Sequence, residues 1–311
     1  QEKMLRAAKV TVTDVWKEAD IVQINTVLPD SPLVARRARR QGKKVVYYGH
    51  STMEDFKNSF IGSNLAAPLF KKWIRHCYRQ GDVVITPTEY SRELLMKYDL
   101  HREIYALTNG VDTEFFHKTE QAGGQFRVLF HIPVDKKVVI SAGHLIRRKG
   151  ILDFLETARR MPDVLFLWFG GGNHALIPEE IKRAVAEKPE NVIFAGFVPS
   201  IILRDAYSGA DAFAFFSYEE TEGIVVLEAL SCEIPVIIRD IPVYDEWLED
   251  GVQVRKATDP DSYEQALREI LSGERQEEVL RRTRAGRALA EEHSMKATGE
   301  RLYQIEQNLY Q

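Results

Sequence analysis

The chain has 311 residues, 44% hydrophobic and 28% charged, with a net charge of −4. It is long enough for two domains of ordinary size and too rich in apolar side chains to be disordered. No apolar run approaches the roughly 20 residues that span a bilayer and no signal peptide is visible, and the two cysteines, Cys77 and Cys232, are too few for a disulfide framework, so a reducing cytosol is expected.

The first residues, Glu2 to Ala8, read as helix without a leading methionine, so an upstream strand and loop are expected. Strands then alternate with helices, the pattern of parallel sheets with crossover helices. Residues 20–26 (DIVQINT) form a strand, 32–40 a basic helix, 44–48 (KVVYY) a strand and 65–79 a helix. Strand 82–86 (DVVIT), helix 90–98 and residues 104–107 lead to an Asn109-Gly110 turn. Residues 117–127 (HKTEQAGGQFR) have the composition of a linker, after which the pattern restarts. Strand 137–141, helix 150–161 and the buried strand 164–169, ending in Gly170-Gly171-Gly172, come next. Helix 179–187, the run 192–197, strand 212–216, helix 227–231 and strand 235–238 follow, and residues 276–311 read as helical to the end. Two doubly wound domains facing one another would place a ligand in the cleft at their strand carboxyl ends.

Charge is uneven. Residues 1–110 hold 18 Lys+Arg against 12 Asp+Glu, which leaves 24 against 34 for the remainder. The basic front half either works at an anionic surface or reflects chance asymmetry in solvated faces.

Two motifs carry chemistry. In Glu220-Thr221-Glu222-Gly223-Ile224-Val225-Val226-Leu227-Glu228, two carboxylates eight residues apart flank a glycine between a strand and a helix start. Unpaired N–H groups at such a start attract an anion. Two acids beside an anion site suit a ligand with a phosphate end and a hydroxyl-rich end, as in a nucleotide sugar; the plainer reading is a pair of exposed acids near a helix start. In Ser141 to Gly150 (SAGHLIRRKG) a strand passes through a basic loop into a helix, where cations either neutralise a diphosphate leaving group or face solvent.

Strand-Gly-(five residues)-Lys-Gly, a Gly-Gly strand end, Phe194-Ala195-Gly196-Phe197-Val198 and Glu-x7-Glu, in this order, resemble retaining glycosyltransferases of the GT-B fold, and Asn109-Gly110-Val111-Asp112 matches the family's lead into its linker. More narrowly, Tyr48 to Phe56 (YGHSTMEDF), the loop 219–228 and Arg239 to Tyr244 (RDIPVY) look like bacterial 1,2-diacylglycerol 3-alpha-glucosyltransferases, which make the monoglucosyl lipid that can anchor lipoteichoic acid. The resemblance implies an α/β protein of two Rossmann-like, doubly wound domains facing across a cleft. Residues 1–120 would bind acceptor, 121–295 would bind the nucleotide sugar, and helix 296–311 would return to the first domain.

Carried over to this sequence, the resemblance implies that Glu220 contacts the donor sugar's hydroxyls and that Glu228 holds the ribose. The N–H groups of Gly223, Ile224 and Val225 would meet sugar and diphosphate, and Lys149 would pair with the diphosphate. The base would lie near Gly170 and near Gly196 to Val198, and His50 would contact the sugar near the reacting carbon. Two residues depart from the family's pattern. His144 stands where an Arg is usual, so Arg147 or Arg148 is expected to supply the second cation. Glu222 stands where many relatives have Phe, and beside a diphosphate it is unfavourable unless its side chain points away. The family's N-terminal glycine loop has no counterpart in this sequence.

Asp259-Pro260-Asp261 superficially matches a DxD metal motif, but it precedes SYEQAL and reads as a helix cap with proline in the first turn. No residue cluster has metal-ligand spacing, so transfer without metal or cofactor is expected. Leu65, Leu69, Phe70, Trp73 and Ile74 fall on one face of an ideal wheel, with Lys71, Lys72, Arg75 and Arg79 opposite. Either that helix packs on its sheet with its cations in water, or it joins the cluster Arg36, Arg37, Arg39, Arg40, Lys43 and Lys44 at anionic lipid. Nucleic acid is a poor partner because no stacking platform or recognised motif accompanies the charge.

The expected activity is alpha-retaining transfer of glucose from UDP-glucose to diacylglycerol, in the cytoplasm and peripherally on the inner face of the cell membrane. In the family's account the leaving phosphate oxygen accepts the acceptor's proton during same-face attack. The alternatives are a soluble or glycan acceptor, nucleotide-sugar epimerisation, and an inactive lipid-binding scaffold.

Overall fold

The computed structural model describes residues 2–172 and 177–310. Four parallel strands, β1 (Ile21–Ile24), β2 (Lys44–Tyr48), β3 (Val83–Thr86) and β4 (Glu103–Ala106), form a first sheet in the order β1-β2-β3-β4. A second parallel sheet contains β5 (Val138–Ala142), β6 (Leu165–Phe169), β7 (Val192–Gly196), β8 (Ala212–Phe215), β9 (Val236–Arg239) and β10 (Arg255–Ala257). Its order is β10-β9-β8-β5-β6-β7. Parallel neighbours need crossover connections, so helices cover both faces and the strands read as continuous apolar runs. In β5, Val138, Ile140 and Ala142 join one core with Phe126 and Leu227, while Val139 points into the other with Phe154 and Trp168. This is the GT-B arrangement that the motifs implied.

The order reverses at β5, which pairs with β6 on one side and β8 on the other. Connections leaving the two strands diverge there and open a crevice at their carboxyl ends. The basic loop follows β5 and the acidic glycine loop follows β8.

Several expectations are corrected. Residues 117–127 are not a linker throughout: Thr119 caps a helix over Glu120–Leu129. Gly123 lets that helix touch helix Ser200–Gly209 backbone to backbone, since a Cβ there would lie 2.8 Å from the Ser208 carbonyl oxygen. The helix after Gly223 begins at Ile224, one turn before the expected Leu227. The C-terminal run is two helices, Gln276–Glu292 and Met295–Asn308, the second capped by Ser294, and Gln311 lies outside the described residues. That last helix buries Leu302 with Met4, Val46 and Ile85, against the first sheet.

Helix Ser63–Tyr78 departs most from the wheel. It buries Ser63, Ala67, Ile74, Cys77 and Tyr78, with Phe70 and Trp73 partly covered. Leu65 and Leu69 point outward, 91% and 72% exposed. Small residues let the helix lie close to its sheet, so its inner face is not its leucine face. Arg75 and Arg79 are pinned to Asp99, and Lys71 lies 4.4 Å from the centre of the Tyr98 ring, so these cations are not free on an outer face. Asp259 caps helix Pro260–Leu271 in a reciprocal box with Ser262, as the DPD reading expected.

Candidate active site

The crevice at the carboxyl ends of β5 and β8 holds a cavity of about 390 Å³. Its wall brings together His144, Lys149, Gly170, Val198, Glu220, Gly223, Ile224 and Val225 from five separate stretches of sequence. Asn109 closes it from the first domain. A larger cavity of about 630 Å³ lies beside β1 and the C-terminal helix, lined by Val10, Trp16, Gln23 and Tyr310 among others. That space is away from the glycine loops, and chemistry rather than size identifies the site.

The acidic loop is held from below. Tyr263 Oη donates to the Phe215 carbonyl at 2.6 Å and Arg239 Nε to the Phe216 carbonyl at 3.0 Å. Arg239 also pairs with Asp153 and lies 3.8 Å from the Tyr218 ring centre. Gly223 then takes φ +81°, a left-handed conformation, and starts helix Ile224–Ser231. A Cβ at Gly223 would sit 2.6 Å from Tyr244 Oη, a buried hydroxyl without a hydrogen-bond partner among the described residues. A glycine-started helix in a crevice exposes backbone N–H groups to an anion.

Lys149 Nζ bonds Glu220 Oε1 within the cavity, and both side chains are largely enclosed. Burial pushes the Glu220 carboxyl up, and Lys149 followed by Arg148 overcomes this, leaving it below the usual carboxylate range. The site therefore presents a carboxylate and an ammonium that already neutralise one another, next to unpaired N–H groups. Glu228, one turn into the helix, does not line the cavity. It is partly exposed and accepts from Tyr207 Oη at 3.4 Å, and burial pushes its carboxyl up to about 7.

Three further expected residues lie off the wall. Arg148 is turned to the first domain, 2.8 Å from Asp55 Oδ1, and donates to the Glu219 carbonyl at 2.6 Å. Arg148 therefore does not stand in for the Arg that His144 replaces, and Arg147 pairs with Glu180 at the surface. His144 does line the cavity, with Nδ1 3.1 Å from the Gly171 carbonyl oxygen and its ring edge-on to Phe197 at 5.7 Å. Gly196 stands behind the wall and accepts at its carbonyl from Gly170 N at 2.8 Å. His50 follows β2, its ring stacked on Tyr48 at 5.5 Å, and burial lowers its pKa. Glu222 also lines the cavity, but its carboxylate is taken up by the segment leaving the first domain. It is 3% exposed and accepts from Thr108 Oγ1, Asn109 N at 3.0 Å and Asn109 Nδ2 at 2.6 Å.

Of the expected lipid-facing residues, Arg36, Arg37, Arg39 and Arg40 are all exposed along helix Ser31–Arg40. Lys72 is exposed, whereas Lys71 and Arg75 are held as described and Trp73 donates to the Val27 carbonyl at 2.7 Å. Phe197, within the segment 196–198 expected near the base, does line the cavity, whereas Asn109 carries no local signal for the wall beyond its Asn-Gly turn. Among the described residues no group of three or more His, Cys, Asp or Glu side chains could hold a metal ion.

Residues 126–288 match the family "Glycosyl transferases group 1" and residues 3–115 match "Glycosyltransferase Family 4". The chain is 36% identical, over 99% of its length and 91% of the relative's, to the processive diacylglycerol alpha-glucosyltransferase of Acholeplasma laidlawii. It is 28% identical, over 78% of its length and 67% of the relative's, to the alpha-galactosylglucosyldiacylglycerol synthase of Streptococcus pneumoniae. Among solved structures it resembles sucrose-phosphate synthase from Thermosynechococcus elongatus (TM-score 0.79, 19% identity, 94% of this chain and 74% of that one). It also resembles Anabaena HepE in complex with UDP-glucose (TM-score 0.75, 19% identity, 94% and 78%). The family match takes in β5 to β10 and every cavity-lining residue except Asn109, and with the two facing sheets it makes this chain a GT-B glycosyltransferase of group 1.

Proposed function

We propose that this chain transfers glucose from UDP-glucose to the free hydroxyl of diacylglycerol, with retention of the alpha configuration. The reading rests on the Lys149–Glu220 pair beside the Gly223 helix start, which offers charge to a diphosphate and a carboxylate to sugar hydroxyls in one crevice. In water such a pair is worth little, but in a closed cleft its electrostatic weight rises. The N–H groups of Gly223, Ile224 and Val225, with Lys149, would take up negative charge as the sugar–phosphate bond breaks. The leaving phosphate oxygen can then accept the acceptor's proton, with Glu220 positioning the sugar rather than attacking it. Lys149 and the helix start would do the work of a cation, so the reaction should survive a chelator. Gly170 and Val198 would border the base, with Gly196 behind them, Glu228 would hold the ribose, and His50 would reach the sugar from the first domain.

The choice of acceptor is supported by the diacylglycerol glycosyltransferases to which the chain is related and by one face of the first domain. No helix among the described residues is long and apolar enough to cross a membrane. Leu33, Ile61, Leu65 and Leu69 are each more than 60% exposed and accompany Arg36, Arg37, Arg40 and Lys72. Apolar side chains with cations suit peripheral attachment to an anionic leaflet. The test is incubation with labelled UDP-glucose and vesicles of anionic phospholipid with diacylglycerol, with and without EDTA. The expected product is a labelled lipid cleaved by alpha-glucosidase and not by beta-glucosidase. Label found only in a soluble glycan would defeat the acceptor, and label from another nucleotide sugar alone would defeat the donor.

A further inference from the structure

The loop that grips the donor is also the joint between the domains. Three positions of it, Glu219, Thr221 and Glu222, bond the first domain or the segment leaving it. Tyr90 Oη donates to Glu219 at 2.8 Å, and Arg148 bridges Asp55 to the Glu219 carbonyl beside Glu220. Thr88 Oγ1 donates to the Thr221 carbonyl at 2.9 Å, and Glu222 accepts from three donors, Thr108 Oγ1, Asn109 N and Asn109 Nδ2. Among these Glu222 is the most enclosed: it borders the cavity with its neighbours Thr221 and Gly223, and its partner Asn109 lines the same cavity from the first domain.

We infer that Glu222 is a positioning residue, which locks the donor loop to the Thr108-Asn109 segment so that gripping the nucleotide sugar and closing the cleft are one event. The lock touches the reaction through others. If the carboxylate loses its three donors, the Gly223 turn loses its fixed height above Tyr244, and the N–H groups that face the diphosphate shift with it. A displacement of about 1 Å at such a site can cost 10²-fold in rate. A loosened joint also admits water to a sugar that is already activated. This inference rests on the proposed transferase reading for its rate measurements, whereas its UDP-binding arm does not depend on the acceptor.

The experiment is a pair exchange at pH 8 in the full chain. Asn109→Asp sets two carboxylates face to face, and Glu222→Gln sets two amide donors face to face. The double variant restores one carboxylate opposite one amide, with direction reversed. Each single variant should lower kcat for lipid glucosylation at least tenfold, raise the share of UDP-glucose lost to water, and weaken UDP binding by calorimetry at least threefold. The double variant should return all three to within threefold of the parent. If either single variant folds poorly, Thr108→Val, which removes one hydroxyl donor and keeps the shape, should still cost at least threefold in kcat. Parental kcat and water loss in the single variants, or a double variant no better than the worse single, would overturn the inference. A parent that glucosylates no lipid, but whose variants follow the expected UDP pattern, defeats the transferase reading and leaves the lock standing.

Discussion

The donor loop 217–223 and the helix Ser63–Tyr78 both set charges beside apolar side chains, but they place them oppositely. In the loop Glu220 is 6% exposed and bonded to Lys149, with Phe215 below. On the helix Leu65 and Leu69 stand in water, and Lys72 is exposed one and two turns further on. Enclosed charges interact strongly, and leaving one unpaired is costly. Exposed charges are screened by salt, and exposed leucines contribute nothing until something covers them. The loop is therefore built to act on one small ligand, and the helix is built to wait for a surface.

The sharpest way to break that contrast is at the loop. Lys149→Ala and Glu220→Ala should each lower kcat about 10²–10³-fold, as loss of one charge-stabilising group does elsewhere. Initial rates of labelled lipid formation within tenfold of the parent would end the assignment. Each single change also leaves a buried charge without its partner, which typically costs about 3–5 kcal/mol, at the low end for Lys149→Ala because Arg148 stays 3.9 Å from Glu220. Lys149→Met with Glu220→Gln removes both charges, so denaturant melts should return to within about 1 kcal/mol of the parent. Activity should not return, and this separates the pair's chemistry from its contribution to the fold.

The helix should respond in the reverse order. Leu65→Gln with Leu69→Gln should leave thermal stability unchanged, because neither side chain packs on the protein. Sedimentation with anionic vesicles should fall at least tenfold, since burying one leucine contributes about 1.5–3 kcal/mol. Lys72→Gln should cost about 1 kcal/mol of attraction at low salt and less at high salt. Undiminished vesicle binding in the leucine double variant would move the membrane face elsewhere.

The same two regions show what could be read from the residues. The strand–glycine–helix order around Gly223 is local chemistry, and the structure brings Glu220, Lys149 and Gly170 together as their order in the chain implied. The alternation of strands and helices gave both sheets, though not β10, whose three residues are too few to show a pattern. The wheel over 65–79 held for Phe70, Trp73 and Ile74 but failed at Leu65 and Leu69, because the first two turns face inward with Ser63 and Ala67, which hydrophobicity does not flag. Residues 117–127 failed similarly: Gly123 looks like a linker residue, but it is there for close helix contact. Arg148 was indistinguishable from its basic neighbours, because what separates it is Asp55, more than ninety positions earlier and in the other domain.

The smallest expected effect lies at the edge of the enclosed region, on Glu228. Burial raises its carboxyl from 4.5 to about 7. Between those values the folded chain holds a proton that the unfolded chain has shed, so this group's contribution to stability falls as pH rises through the window. Glu228→Gln should flatten that slope in denaturant melts between pH 5 and pH 8. For the ligand the sign is opposite. A ribose diol donates two hydrogen bonds best to the ionised carboxylate, so binding of UDP-glucose, whose diphosphate does not titrate in this range, should tighten roughly tenfold from pH 6 to pH 8 in the absence of acceptor, as the ionised fraction rises from about a tenth to about nine tenths. At pH 7 binding should release a fraction of a proton, visible in calorimetry as a heat that depends on the buffer's ionisation enthalpy and that Glu228→Gln abolishes. A buffer-independent heat in the parent would place the ribose elsewhere and confine the donor site to the Lys149–Glu220 side of the helix start.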